Sequence, residues 1–181
     1  LVALVTPMCG HDVDFKAFKE LIQYHCAAGT DAVVILGTTG EAGTLTEQER
    51  TQLITLAVET AQKKLPIWVG TGSQSTAQAC LWSKQAEVLG AQGCMVVTPY
   101  YVRPTQPGIV AHFRHISQAT TLPLMVYDVP KRTGCVLELA TLKTLHESAS
   151  IVAYKDATND LSRVSWLRNA CPRWSLLSGD D

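Results

Sequence analysis

The chain is 181 residues long, 46% hydrophobic and 17% charged, with 15 basic and 16 acidic side chains. That is apolar material for one sizeable core, while a net charge of −1 supplies no field to gather nucleic acid or an anionic membrane. With no apolar run of about 18 residues and no basic-then-apolar leader, it reads as a soluble, cytoplasmic domain whose partners are small molecules or copies of itself. Cys9, Cys26, Cys80, Cys94, Cys135 and Cys171 form no C-x-x-C pair, and none has a His at zinc-ligand spacing. They are expected to be reduced, mostly buried thiols, and no metal site is expected.

The first apolar run, 2–6, passes into Thr6-Pro7-Met8-Cys9-Gly10-His11-Asp12 and then a helical stripe of Phe15, Phe18, Leu21 and Ile22 that Gly29 ends. A second run at 32–37 precedes a capping-box pattern, Thr46 with Glu49, ahead of Leu53, Ile54, Ala57, Val58 and Ala61. The third, 67–72, leads to a helix capped by Ser75 or Thr76 and carrying Ala79, Trp82, Ala86 and Leu89. Runs at 94–99 and 124–130 are followed by stripes of Ile109, Val110, Phe113 and Ile116, then Leu139, Leu142 and Leu145. The run at 151–157 precedes Leu161, Val164, Trp166 and Leu167, with Pro172 beyond, and a seventh run covers 175–179. Each run is rich in Val, Ile or Leu without polar alternation, the pattern of strands buried on both faces of a parallel sheet.

Seven strands and six helices, one unit per roughly 30 residues, predict an α/β fold, a (β/α)8 TIM barrel covering 1–181 and truncated after the seventh strand. An open doubly wound sheet would present a Gly-rich phosphate loop after its first strand, and 6–12 has neither G-x-G-x-x-G nor G-K-[ST]. A barrel removes its edges by closure, so seven strands leave two edges unpaired, and an eighth strand with C-terminal helices is expected outside the given sequence.

Working residues of such barrels stand at the C-terminal ends of the strands. Lys155 follows Ile-Val-Ala-Tyr on an apolar strand; burial there would disfavour the ammonium and free an amine able to form an imine with a carbonyl substrate. It also fits an ordinary lysine salt-bridged to Asp156 or Glu41. Tyr127 ends the neighbouring strand, either to pass protons or as a core tyrosine with a satisfied hydroxyl. Thr38 and Thr39 follow Gly37 in a tight turn whose hydroxyls and N–H groups suit a carboxylate, or serve the turn alone. Arg132 lies in a Pro–Gly-bounded loop, placed for a bidentate carboxylate grip or simply at the surface. Tyr100 and Tyr101 sit between prolines as an aromatic loop, an interface anchor or a plain turn.

These segments, GTTGE (37–41), GTG (70–72), TPYY with RP (98–104), YDVPKRTG (127–134), YKDAT (154–158) and SGDD (178–181), resemble the dihydrodipicolinate synthase / N-acetylneuraminate lyase family of Schiff-base aldolases and lyases. The double threonine, the double tyrosine and Arg132 favour its synthases over its sialic acid lyases. The resemblance implies that Lys155 forms the imine with pyruvate and that Tyr127, Thr38 and Tyr101 form a proton relay, Tyr101 reaching a neighbouring subunit's site. It implies that Thr39, with Gly37, binds the pyruvate carboxylate and that Arg132 receives the carboxylate of L-aspartate 4-semialdehyde. A homotetramer or homodimer with no metal or organic cofactor is implied as well. Another pyruvate-dependent lyase and a non-catalytic pyruvate-binding homologue remain the alternatives. Two departures stand out: Asp128 where the family usually has Asn, and Ser73-Gln74-Ser75 after Gly72 where it often has Ala-Asn.

Overall fold

The computed structural model describes residues 1–179, so the last two residues of the SGDD motif lie outside the described residues. Strand β1 (Val2–Ala3) is followed by a hairpin of β2 (Met8–Cys9) and β3 (Asp12–Val13), and α1 (Phe15–Ala27) then leads to β4 (Val33–Ile35). A 3-10 turn (Ala42–Thr44) and α2 (Glu47–Ala61) connect to β5 (Ile67–Gly70), and α3 (Thr76–Val88) to β6 (Gly93–Val97). Next come α4 (Gln106–Ala119), β7 (Leu124–Asp128), the short α5 (Pro130–Thr133) and α6 (Leu139–His146). The described chain ends with β8 (Ile151–Asp156), α7 (Ser162–Ala170) and β9 (Ser175–Ser178).

Seven strands pair in the order β1-β4-β5-β6-β7-β8-β9, every pair parallel. Each new strand joins the same edge, with no reversal of order, which is the winding of a (β/α)8 barrel and not of a doubly wound sheet. All seven predicted strands and all six predicted helices are present.

Alternation along the strands divides the apolar residues between two cores. Val33, Ile35, Cys94, Val96, Leu124 and Val126 face the helices and pack with Phe18, Ile22, Leu53, Ile54, Phe113 and Leu142. Val34, Met95, Met125, Tyr127, Ala153 and Ala157 face the other way and line the barrel interior. Helix ends are set by side chains: Asp14 accepts from Ala17 N–H at 2.9 Å, Thr46 and Glu49 complete the expected capping box, and Ser75, not Thr76, caps α3.

The β2–β3 hairpin and α5 were not expected. Two-residue strands are too short for a hydrophobic period to register, and Val-Pro-Lys-Arg-Thr-Gly reads as a loop because its proline and glycine punctuate a single helical turn. Trp82, expected in the core, is half-buried, and its indole donates to the Glu47 carboxylate at 2.9 Å. Ser83 takes the buried place on α3 and donates to Thr71 at 2.9 Å. All six cysteines are free, but only Cys94 and Cys171 are buried; Cys26, Cys80 and Cys135 are half-buried and Cys9 is exposed.

Candidate active site

Parallel pairing puts Tyr127 opposite Lys155 and Asp128 opposite Asp156 at the C-terminal ends of β7 and β8. Alternation then sends Tyr127 and Lys155 inward, and the Lys155 Nζ lies 4.7 Å from the centroid of the Tyr127 ring. Tyr127 is buried, whereas Lys155 is half-buried rather than enclosed, because its head group opens on a cavity of about 710 Å³. Gly37, Thr38, Thr39 and Arg132 line the same cavity. The next strand gives the lysine stem its space: a Cβ on Gly179 would stand 3.2 Å from the Lys155 Cε and 2.9 Å from the Ala157 Cβ. Asp156, one of the carboxylates considered as a plain salt-bridge partner for Lys155, has its Oδ2 3.6 Å from the Arg163 Nε instead.

Thr38 and Thr39 are exposed at the tip of a turn after β4. The Glu41 N–H donates to the Thr38 carbonyl at 3.0 Å, and the Thr6 hydroxyl donates to the Gly40 carbonyl at 2.7 Å, tying the turn to β1's extension. Leu36 and Glu41, on either side of it, hold left-handed φ values of 55° and 52°. Such backbone costs an L residue about 1 kcal/mol or more and is found where surrounding structure enforces a functional shape.

Arg132 is exposed on α5 and faces both the 710 Å³ cavity and a second one of about 640 Å³. The second cavity shares Gly37, Thr38 and Tyr127 with the first and adds Tyr100, Arg50 and Trp82. Gly134 closes α5 at φ 74°, and the Arg103 guanidinium lies against it, 2.7 Å from where a Cβ would stand. The left-handed conformation favours glycine there, while the Arg103 contact is with the end of a flexible side chain that can move aside. Arg50 is buried, its Nη2 donating to the Gly70 carbonyl at 3.1 Å and its guanidinium lying 4.0 Å from the Trp82 ring centre.

Six of the seven sequence-derived site residues therefore converge: Lys155, Tyr127, Thr38, Thr39, Gly37 and Arg132. Tyr101 does not join them. It is 86% exposed with φ 71° and lines neither cavity.

On the opposite face of the same strands lies a cluster that sequence reasoning only touched. Asp128 is fully buried and accepts from the Tyr154 hydroxyl at 3.0 Å, the Leu137 N–H at 3.1 Å and the Arg163 Nη2 at 3.3 Å. Burial, the dominant cause, pushes the Asp128 carboxyl up to about 6, against the lowering effect of those three donors. The Tyr154 hydroxyl is pushed well above its usual range by burial and by the two carboxylates. The departure from Asn at position 128 was the available signal; Arg163, on a later helix, offered none.

A parallel βα half-barrel with an amine-bearing lysine and a tyrosine side by side at adjoining strand ends, over a cavity lined by hydroxyls and an arginine, defines a barrel protein with a strand-end lysine site. The model of the dihydrodipicolinate synthetase family matches residues 1–181, and the chain belongs to that family. It is 43% identical over 183 residues to the 4-hydroxy-tetrahydrodipicolinate synthase of Buchnera aphidicola subsp. Cinara cedri, and 42% identical over 183 residues to that of Methylococcus capsulatus. All of this chain is covered in both alignments, against 62% and 63% of those proteins, so the chain spans under two thirds of the length of these relatives. The chloride-inhibited dihydrodipicolinate synthase of Acinetobacter baumannii, solved with pyruvate, superposes with a TM-score of 0.96 at 44% identity, over 99% of this chain and 62% of that one.

Proposed function

We propose that the whole protein condenses pyruvate with L-aspartate 4-semialdehyde to 4-hydroxy-tetrahydrodipicolinate, through an imine on Lys155, as a cytoplasmic enzyme assembled from copies of itself. The observation that carries this reading is the Lys155 amine beside the Tyr127 ring, over a cavity that Thr38, Thr39 and Arg132 also line. The Lys155 amine adds to the keto carbon of pyruvate; the carbonyl oxygen takes up protons and leaves as water, giving the imine. Tyr127 and Thr38 move those protons, and Thr39 with Gly37 holds the substrate carboxylate at the β4 turn. Loss of a methyl proton gives the enamine, whose carbon bonds to the aldehyde carbon while the aldehyde oxygen is protonated. The amine of the joined product then attacks the imine carbon, closing the ring and releasing Lys155.

Arg132, exposed at the mouth, is assigned the carboxylate of the semialdehyde, a planar anion suited to a guanidinium fork. Tyr101 is exposed and lines neither of the two cavities, which suits a role in a neighbouring subunit's relay. The test is turnover by the whole protein of pyruvate with L-aspartate 4-semialdehyde. Product formation is expected; no product, with cleavage of N-acetylneuraminate instead, would assign the site to a sialic acid lyase.

A further inference from the structure

Four segments meet on one carboxylate oxygen behind the strand ends. Asp128 Oδ2, at the end of β7, receives the Leu137 N–H after α5, the Tyr154 hydroxyl of β8 and the Arg163 Nη2 of α7. The same Arg163 nitrogen donates to the Leu137 carbonyl at 2.9 Å and to the Tyr154 oxygen at 3.0 Å, while Arg163 Nε faces Asp156 Oδ2 at 3.6 Å. Asp128 is fully buried and its partners Asp156 and Arg163 are half-buried, and taking a paired carboxylate out of water is costly as a source of stability alone. Among the described residues, the second Asp128 oxygen is buried without a hydrogen-bond partner.

The place of this cluster gives it a use. Asp128 and Asp156 are the residues immediately after Tyr127 and Lys155, and the two pairs are in register across β7 and β8. Each outward side chain shares its backbone and its ladder register with its inward neighbour, so a shift of the backbone at Asp128 or Asp156 moves the tyrosine or the lysine with it. The bond to Leu137 N–H additionally closes the base of the 129–137 segment that carries Arg132.

We propose that Asp128, held by Tyr154 and Arg163, is a positioning residue that sets the Tyr127–Lys155 geometry and with it the rate of lysine addition to the keto acid. This rests on Lys155 being the imine-forming residue. The test measures the rate of borohydride-trapped pyruvyl adduct on Lys155 against pyruvate concentration, in the whole protein and in Asp128→Ala and Asp128→Asn. In Asp128→Ala the rate at saturating pyruvate should fall about tenfold or more, since small misplacements of reacting groups are expensive. The half-saturating concentration should stay unchanged, because Thr38 and Thr39 sit on a separate turn. In Asp128→Asn, whose amide oxygen keeps all three donors, the rate should return to within about threefold of the parent. A parental rate in Asp128→Ala, a loss in Asp128→Asn as large as in Asp128→Ala, or a change confined to half-saturation would each overturn the proposal. If Asp128→Ala does not fold, Tyr154→Phe, which removes one hydroxyl from the cluster, decides instead: a slower rate at unchanged half-saturation supports positioning, a parental rate refutes it. No adduct in the parent refutes the imine reading itself, and the positioning role falls with it.

Discussion

Asp128 carries a charge its surroundings disfavour. Its carboxyl ordinarily titrates at 3.8 and is raised to about 6, chiefly by burial, with Leu137, Tyr154 and Arg163 offsetting part of that cost. A carboxyl that holds its proton more tightly folded than unfolded favours the folded state most below 3.8, and this contribution is lost as pH rises through about 6. The difference corresponds to roughly 3 kcal/mol at most between the acid and neutral limits. The parent is therefore expected to lose up to about 3 kcal/mol of stability as pH rises from below 4 through about 6, and Asp128→Asn, which has no such proton to lose, should show a smaller fall over that range. Urea unfolding at both ends of that range checks it; equal falls in the parent and the variant would contradict the buried-charge reading. At this scale the sequence was partly legible. The Asp at position 128 could be marked as unusual, and Lys155 and Tyr127 as strand-end residues. Arg163 reads from sequence as one more solvated helix charge, because nothing local says that a side chain 35 residues on folds back over Asp128.

Elements were read more fully than single residues, since burial on both faces leaves uninterrupted Val, Ile and Leu runs and the intervening stripes keep a helical period. What escaped were pieces shorter than one period, the β2–β3 hairpin and α5, together with the close approaches that no period encodes. Gly70 is one of these: a Cβ there would lie 2.0 Å from the Leu36 carbonyl oxygen and 2.6 Å from its carbon, both backbone atoms. Because Leu36 opens the turn that carries Thr38 and Thr39, β4 and β5 approach this closely only with glycine at the end of β5. Gly70→Ala is expected to cost about 3 kcal/mol or more by overpacking and to disturb the threonine turn. Gly43, with nothing within 4 Å of its Cβ position, provides the control, and Gly43→Ala should leave the unfolding midpoint nearly unchanged. Equal midpoints for the two variants would contradict this view of the β4–β5 junction.

For the molecule as a whole, the sequential parallel winding gathers residues from positions as distant as Gly37 and Lys155 above one interior. That gathering was predictable once the strand count and the missing phosphate loop had excluded a doubly wound sheet. The exposure of Lys155 was not, because the apolar run around it gives no sign that its head group opens on a cavity. Tyr101 stands apart for another reason: it is exposed and lines neither cavity, and only the resemblance, not its own position in this chain, suggests a use for it. The measurement that tests the central claim most directly is borohydride reduction of the whole protein with pyruvate, followed by peptide mass mapping. A reduced pyruvyl group on Lys155, and its loss in Lys155→Ala, is the predicted result; a folded protein that gains no adduct, or gains it on another lysine, would contradict imine chemistry at this site.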